Sequence, residues 1–289
     1  MRASSKPCLV LRCCWLPSVL LLTAPLAALG GAGPWSGSGL QYTSSYTGRS
    51  KGPLMRSSMQ FADCRIGADD IDLDRFCEAT RAYCTLLRSF GGFTRLSVGQ
   101  VNKCLRMIDG ARKRAALKGR GRVSMKALLE AEKAQTGLHA PHGVLGENTG
   151  AMGLLWIRRG LEFWEQTFEI AAEAISADQT GQDAARGRGW FFWKRRRRAA
   201  KAQTFKEQAD AGYAASVRPF HGWVARSAFK ASLRSPPDWE ELMVRAKLAE
   251  SREQLAAELK RWAQSLRELI KTMQETQLRY DLEDTRKTV

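Results

Sequence analysis

MGLLWIRRGLEFWEQTFEIAAEAIS, residues 152–176, carries its apolar side chains at helical intervals. Ile157, Leu161, Trp164, Phe168, Ala172 and Ile175 follow one another at steps of three or four. That spacing draws one stripe along a helix and no consistent face on a strand. A stripe so rich in large rings has to be buried against other elements. Around it the same period recurs. Upstream, an acidic cap at Asp69 or Asp70 is expected to open a helix with Leu73, Phe76, Cys77, Tyr83, Cys84 and Leu87 on its apolar face, which Gly91-Gly92 ends. Further helices are expected over 97–108 and 124–135, joined by the basic stretch Arg112 to Arg122, and residues 137–150 read as loop. Downstream, helical spacing resumes over 205–217 and, past Pro219, over 221–233. After Pro236-Pro237 one long helix is expected from Asp238, with Leu248, Leu255, Leu259, Trp262, Leu266, Leu269 and Met273 in near-heptad register. Its stripe must cover either the domain itself or another chain, so 238–275 is a candidate surface for a helical partner. Strand-like alternation is scarce, and the fold class is all-α.

The first sixty residues differ from this pattern. Arg2 and Lys6 precede an apolar run that ends in small residues near Gly30, so 1–30 read as a signal or targeting leader; the run from Cys13 to Ala28 is short for a membrane span. Residues 31–58, rich in Gly, Ser and Thr, read as a linker. One domain is expected over 59–250, interrupted by a basic, aromatic insertion at 178–203, with 251–289 as an amphipathic helical extension. The insertion ends in Trp190-Phe191-Phe192-Trp193-Lys194 followed by four arginines. Its rings suit a membrane interface, and its charges suit anionic lipid or a nuclear-localisation signal.

Composition excludes several classes. Hydrophobic residues at 44% and charged ones at 26% suffice for a buried core and argue against general disorder. A net charge of +17 predicts attraction to a polyanion, an acidic membrane or nucleic acid. Yet no zinc-ligand spacing and no recognition motif for nucleic acid is present, so a nucleic-acid role ranks well below a membrane one. Cys64, Cys77, Cys84 and Cys104 fit no metal pattern and read as buried free thiols, which suits poorly the oxidising route a secretory leader implies. Only His139, His142 and His221 exist, none beside a recognised nucleophile. No catalytic residue, metal or cofactor is expected; the loop pair His139 and His142 lacks companion ligands.

Trp156-Ile157-Arg158-Arg159-Gly160-Leu161 resembles the Trp-Leu-Lys-Arg-Gly-Leu core of the glycolipid transfer protein family. Tyr213, His221, Gly222-Trp223 and Arg226 match that family's second signature in spacing, and Ile71-Asp72-Leu73 with Phe76 and Phe90-Gly91-Gly92 looks like its opening helix. The three blocks lie in the family's order across about residues 60–250. The resemblance implies a two-layer helical sandwich around an apolar lipid pocket, and a non-enzymatic carrier of one glycosphingolipid or ceramide-1-phosphate at the surface of membranes, in the cytosol. The leader keeps a secretory or organellar destination open.

The same resemblance assigns roles. Trp156 would stack on a sugar ring, Arg159 would donate to sugar hydroxyls or phosphate, Gly160 would allow a close approach, and His221 would bond the ceramide amide. Arg158 is expected on the solvated face. Trp223 resembles the family's membrane-docking Trp, with Trp190, Trp193, Arg195 and Arg196 as further docking candidates. The family's acidic headgroup residue falls on Gln100 and its partner one turn later on Cys104, a departure that also makes Asn102 and Arg106 candidates. Trp156 favours a sugar, whereas the missing Asp together with Arg106, Arg158 and Arg159 favours phosphate. A lipid-sensing scaffold that uses the same pocket and a helical partner is the second reading.

Overall fold

Where a purely helical chain is expected, two short strands come early. The structure, a computed structural model, describes residues 52–115, 117, 122–187 and 204–287, with 180–187 as backbone only. The leader, most of the linker, and Trp190, Trp193, Arg195 and Arg196 lie outside the described residues. In chain order the elements are α1 (Pro53–Ala62), β1 (Arg65–Ile66), β2 (Asp70–Ile71), α2 (Leu73–Phe90), α3 (Arg95–Arg114), α4 (Met125–Lys133), α5 (Gly150–Gly187), α6 (Phe205–Ala215), α7 (Trp223–Ser232), α8 (Trp239–Arg245) and α9 (Arg252–Arg279). None of the described helices is long and apolar enough to cross a membrane.

Local chemistry sets these boundaries. Pro53 opens α1, where its missing N–H costs nothing. Asp70 cannot cap α2 because it is held in the antiparallel β1–β2 pair and its carboxylate accepts from the backbone of Ile71 and Lys126. The cap is Asp72, which accepts from Asp74 N and Arg75 N at 3.1 Å each. Gly91, at φ 120°, ends the helix in a conformation that side chains rarely tolerate. Ser124, Asp238 and Ser251 cap α4, α8 and α9, and Thr204 with Glu207 forms a reciprocal capping box on α6. The N-terminus of α5 is capped from outside: Glu132 of α4, 1% exposed, accepts from Gly150 N at 2.7 Å and Ala151 N at 2.8 Å. His139, on the loop before it, accepts from Gly146 N at 3.2 Å.

Helix α5 runs through the middle and packs most extensively on α9, α3 and α6; α1 joins α9 to α2. A chain of aromatic edges fills the interior. Phe168 lies 4.7 Å from Trp262 and 5.3 Å from Trp164, which in turn meets Phe90 at 5.7 Å, while Tyr83 lies 5.7 Å from Trp262. The stripe Ile157, Leu161, Trp164, Phe168, Ala172 and Ile175 is buried throughout, as its spacing predicts.

Four expectations are corrected. Residues 53–58 belong to α1 rather than a linker, with Leu54, Ser57 and Ser58 buried against the rest. Residues 178–187 continue α5 instead of breaking it. The single helix from Asp238 is two, because Lys247 at φ 50° turns the chain before Ser251 starts α9. Finally, the apolar stripe of α9 is part of the domain's own core and is not left open for another chain. Leu255, Leu259, Trp262, Leu266, Leu269 and Met273 are all buried, and their stripe closes the core over α5 and α1.

Candidate functional site

The outward turn of α5 beside its buried stripe bears Trp156, Arg158 and Arg159, and all three are covered. Covering Trp156 is the segment between α6 and α7. Tyr213 from α6 and His221, just before α7, reach the same place: Tyr213 Oη lies 2.9 Å from His221 Nδ1, and the His221 ring lies 5.8 Å from the Trp156 ring. The Arg159 guanidinium sits over the rings of Phe220, at 3.5 Å, and Trp156, at 5.2 Å. Sequence neighbours explain the convergence. Pro219 in a short 3₁₀ turn, residues 218–220, throws the chain back so that His221, eight residues after Tyr213, meets it.

The electrostatics follow from burial. Burial, reinforced by the positive charges of Arg159 and Arg226, pushes His221 down to about 4, so the imidazole is neutral at ordinary pH. Burial pushes Tyr213 up to about 12, despite Arg226 and Arg218. Burial, with Arg158 alongside, lowers Arg159 to about 10 against the opposing pull of Glu283.

Arg158, expected on a solvated face, is 2% exposed. It points to the C-terminal end of the chain, where its Nη2 donates to both oxygens of Glu283 at 2.6 and 2.7 Å and its Nε donates to Gln277 of α9 at 3.0 Å; Nη1 pairs with Glu162. Arg159 Nη2 donates to the Asp284 carbonyl and lies 3.5 Å from Glu283. Its buried Nε has no partner among the described residues. The tail itself is pinned: Leu282 is fully buried, and Asp284 accepts from Leu145 N at 3.0 Å and binds Arg286. Burial would raise the Asp284 carboxyl, but hydrogen bonds from Arg286 and Leu145 hold it below its ordinary value.

Helix α3 reaches α5 at a close crossing. A Cβ on Gly153 would lie 2.8 Å from the Cys104 carbonyl, and one on Gly150 would lie 2.8 Å from Ala111, so the two helices run antiparallel. The next turn of α5, with Trp156, therefore comes level with the turn of α3 that carries Gln100. Gln100 is half-buried and its Nε2 lies 3.7 Å from Cys104 Sγ, on the α5 side. Asn102 and Arg106 share a face about 200° round the helix from Cys104. Arg106 is exposed, and the structure takes both residues out of the cluster. The role expected of Gly160 is also corrected: a Cβ there would meet nothing within 4 Å, whereas close approaches occur at Gly150, Gly153 and Gly212.

The structure thus brings together Trp156, Arg159 and His221, and places Gln100 on the α5 side of α3 at about the level of Trp156. To this group it adds Tyr213 of the second signature and Arg158, together with Phe220, Glu283 and Asp284, to which the sequence assigns no part in the site. For Tyr213 a signal exists in its spacing to His221. Nothing local marks Glu283, which is 125 residues from Arg158. Trp223 is 75% exposed at the start of α7, an open aromatic ring beside the cluster.

This all-α fold is shared by several solved structures. Mouse ceramide-1-phosphate transfer protein without ligand matches at TM-score 0.62 and 14% identity, over 80% of this chain and 98% of its own. The glycolipid-transfer fold of FAPP2, described as selecting simple glycosphingolipids, matches at 0.56 and 15%, over 82% and 99%. HET-C2, a fungal glycolipid transfer protein, matches at 0.53 and 17%, over 75% and 92%. No curated protein matches in sequence. The glycolipid transfer protein family model, however, matches residues 71–248. The chain belongs to the glycolipid transfer protein family.

Proposed function

We propose that this protein is a non-enzymatic carrier that takes one sphingolipid from a membrane, shields its ceramide part, and delivers it to another membrane. The observation that carries the reading is the joining of Trp156, Tyr213, His221 and Arg159 at the edge of an apolar interior, in a chain of this family. A ceramide exposed to water loses about 0.8 kcal/mol per methylene, which makes unassisted transfer slow. The packed rings of Phe90, Trp164 and Phe168 are apolar, and helices parting beside them would give the hydrocarbon an apolar surround. With the Tyr213 hydroxyl donating to Nδ1, His221 carries its proton on Nε2 and can donate to the ceramide carbonyl; its lowered pKa keeps that arrangement across neutral pH. Gln100 would bond the amide or headgroup.

For the headgroup we favour phosphate over sugar. Trp156 is 7% exposed with Arg159 over its ring, so a sugar could stack on it only after Arg159 moved. Arg158 and Arg159 supply the forked donors a phosphate takes. The structurally similar human ceramide-1-phosphate transfer protein has been solved in complex with 12:0 ceramide-1-phosphate. Trp223, with its ring in the open, would enter the membrane interface as the protein docks. In an assay of fluorescent sphingolipid moving between vesicles, Trp156→Ala and His221→Leu should each lower the rate at least about tenfold, a loss of about 1.4 kcal/mol, with helical circular dichroism preserved. Unchanged rates in both would refute the assignment. A lipid-sensing scaffold is the second reading, and it predicts ligand binding without transfer.

A further inference from the structure

We propose that Glu283 is a built-in stand-in for the headgroup phosphate, so that the C-terminal tail, residues 282–287, competes with the ligand and sets headgroup selectivity. The ligand named here rests on the carrier reading; the competing contact itself does not. Three observations support it. Glu283 binds Arg158 through both carboxylate oxygens, at 2.6 and 2.7 Å, which is the geometry a phosphate would adopt on the same fork, and it approaches Arg159 at 3.5 Å. The two arginines are already matched: Arg158 and Arg159 face Glu162 and Glu283, while Asp284 is matched by Arg286. A phosphate monoester, with charge near −1.5 to −2 at neutral pH, cannot join without expelling one carboxylate.

Which carboxylate leaves is decided by its attachment. Glu162 is one turn from Arg158 on the same helix and is fixed there. Glu283 stands on chain without helix or strand, and its side chain is 14% exposed against 3% for Arg158 and 1% for Arg159. It therefore lies on the path from solvent to the arginines, with Leu282 and Asp284 holding the tail on either side while the carboxylate between them can swing. The Nε of buried Arg159, without a partner among the described residues, leaves a donor for the incoming oxygen once Glu283 is gone. A neutral sugar headgroup requires no such exchange. Glu283 thus sets the affinity that a charged headgroup must exceed to reach the arginines, by occupying its place until it arrives.

The experiment uses the full chain with Glu283→Gln, which keeps shape and hydrogen bonding, and Glu283→Ala. Inorganic phosphate is titrated by calorimetry, and ceramide-1-phosphate and glucosylceramide transfer are measured from phosphatidylcholine vesicles. Glu283→Gln should bind phosphate roughly tenfold more tightly than wild type and raise the ceramide-1-phosphate to glucosylceramide rate ratio by a similar factor, about one decade in affinity. Tighter phosphate binding with no lipid transferred by any form keeps the competing contact and overturns the carrier reading. Lipid transfer with unchanged phosphate affinity and an unchanged ratio overturns the contact and leaves the carrier. Loss of cooperative folding in both variants also overturns it, because a group the fold cannot release is not a displaceable competitor.

Discussion

At the scale of single residues, the site depends on keeping charge out of one place and collecting it in another. His221 is the clearest case. Its folded pKa of about 4 lies below the 6.5 of an unfolded histidine, so the unfolded chain takes up a proton first as pH falls. Stability is then full above 6.5, declines between 6.5 and 4, and levels off below; the total loss is about 3 kcal/mol and about 2 of it has occurred by about pH 5. Tyr213 and Trp156 stand against the ring, and the charges of Arg159 and Arg226 both oppose a proton on it. Asp284, lowered rather than raised, withdraws its own contribution only below the ordinary carboxylate range, so the windows separate. Denaturant unfolding at pH 7 and pH 5 should show wild type losing about 2 kcal/mol more than His221→Gln over that step. Equal losses would mean that the imidazole is charged, or free to become so, in the folded protein. His221 is legible in the sequence because its spacing from Tyr213 and Trp223 is local. Arg158 is not, for the converse reason: helical geometry puts it off the apolar stripe, and what buries it is a tail more than a hundred residues away.

At the scale of elements, the legible parts are those whose cause is local. The stripe of α5 and the stop at Gly91 are written in neighbouring residues, and they stand where the sequence puts them. The cap of α2 moves to Asp72 because strand pairing and a distant hydrogen bond from Lys126 occupy Asp70. The split between α8 and α9 is silent in the sequence because an apolar heptad pattern survives a short turn. No glycine or proline lies between Arg245 and Ser251 to mark the break; it is the backbone of Lys247 that bends. Glycine roles are also decided across elements. Gly160 faces open space, whereas a Cβ at Gly212 would sit 2.4 Å from Thr167 Oγ1, 3.0 Å from Thr167 N and 3.1 Å from the Phe163 carbonyl. Two of those atoms are backbone, so Gly212→Ala must push α6 off α5. We expect it to cost about 1–3 kcal/mol, read as a lower denaturant midpoint with an unchanged slope. Lipid transfer should fall with it, because Tyr213 is the next residue. A midpoint within error of wild type would show that the helices are not in contact there.

At the scale of the whole molecule, the question is where the folding unit ends. The family model stops at residue 248, while the structure places a long, fully buried apolar face beyond that point. Burying the side chains of Leu255, Leu259, Trp262, Leu266, Leu269 and Met273 contributes roughly 1.5–3 kcal/mol each, together comparable with or greater than the about 5–15 kcal/mol net stability of a typical domain. Trp262 alone joins three elements, with its Nε1 donating to Ser57 Oγ of α1 at 3.2 Å and its ring against Tyr83 of α2 and Phe168 of α5. A chain ended after Leu248 should therefore show no cooperative thermal transition. The thiols report on the same event. Burial pushes Cys64 and Cys77 up to about 12 and Cys84 to about 11, so in the full chain they should resist alkylation at about pH 8. In the shortened chain they should be modified at the rate of a free thiol. Persistent protection of these three cysteines after removal of residues 249–289 would make α9 an accessory, and the core would have to be redrawn without it.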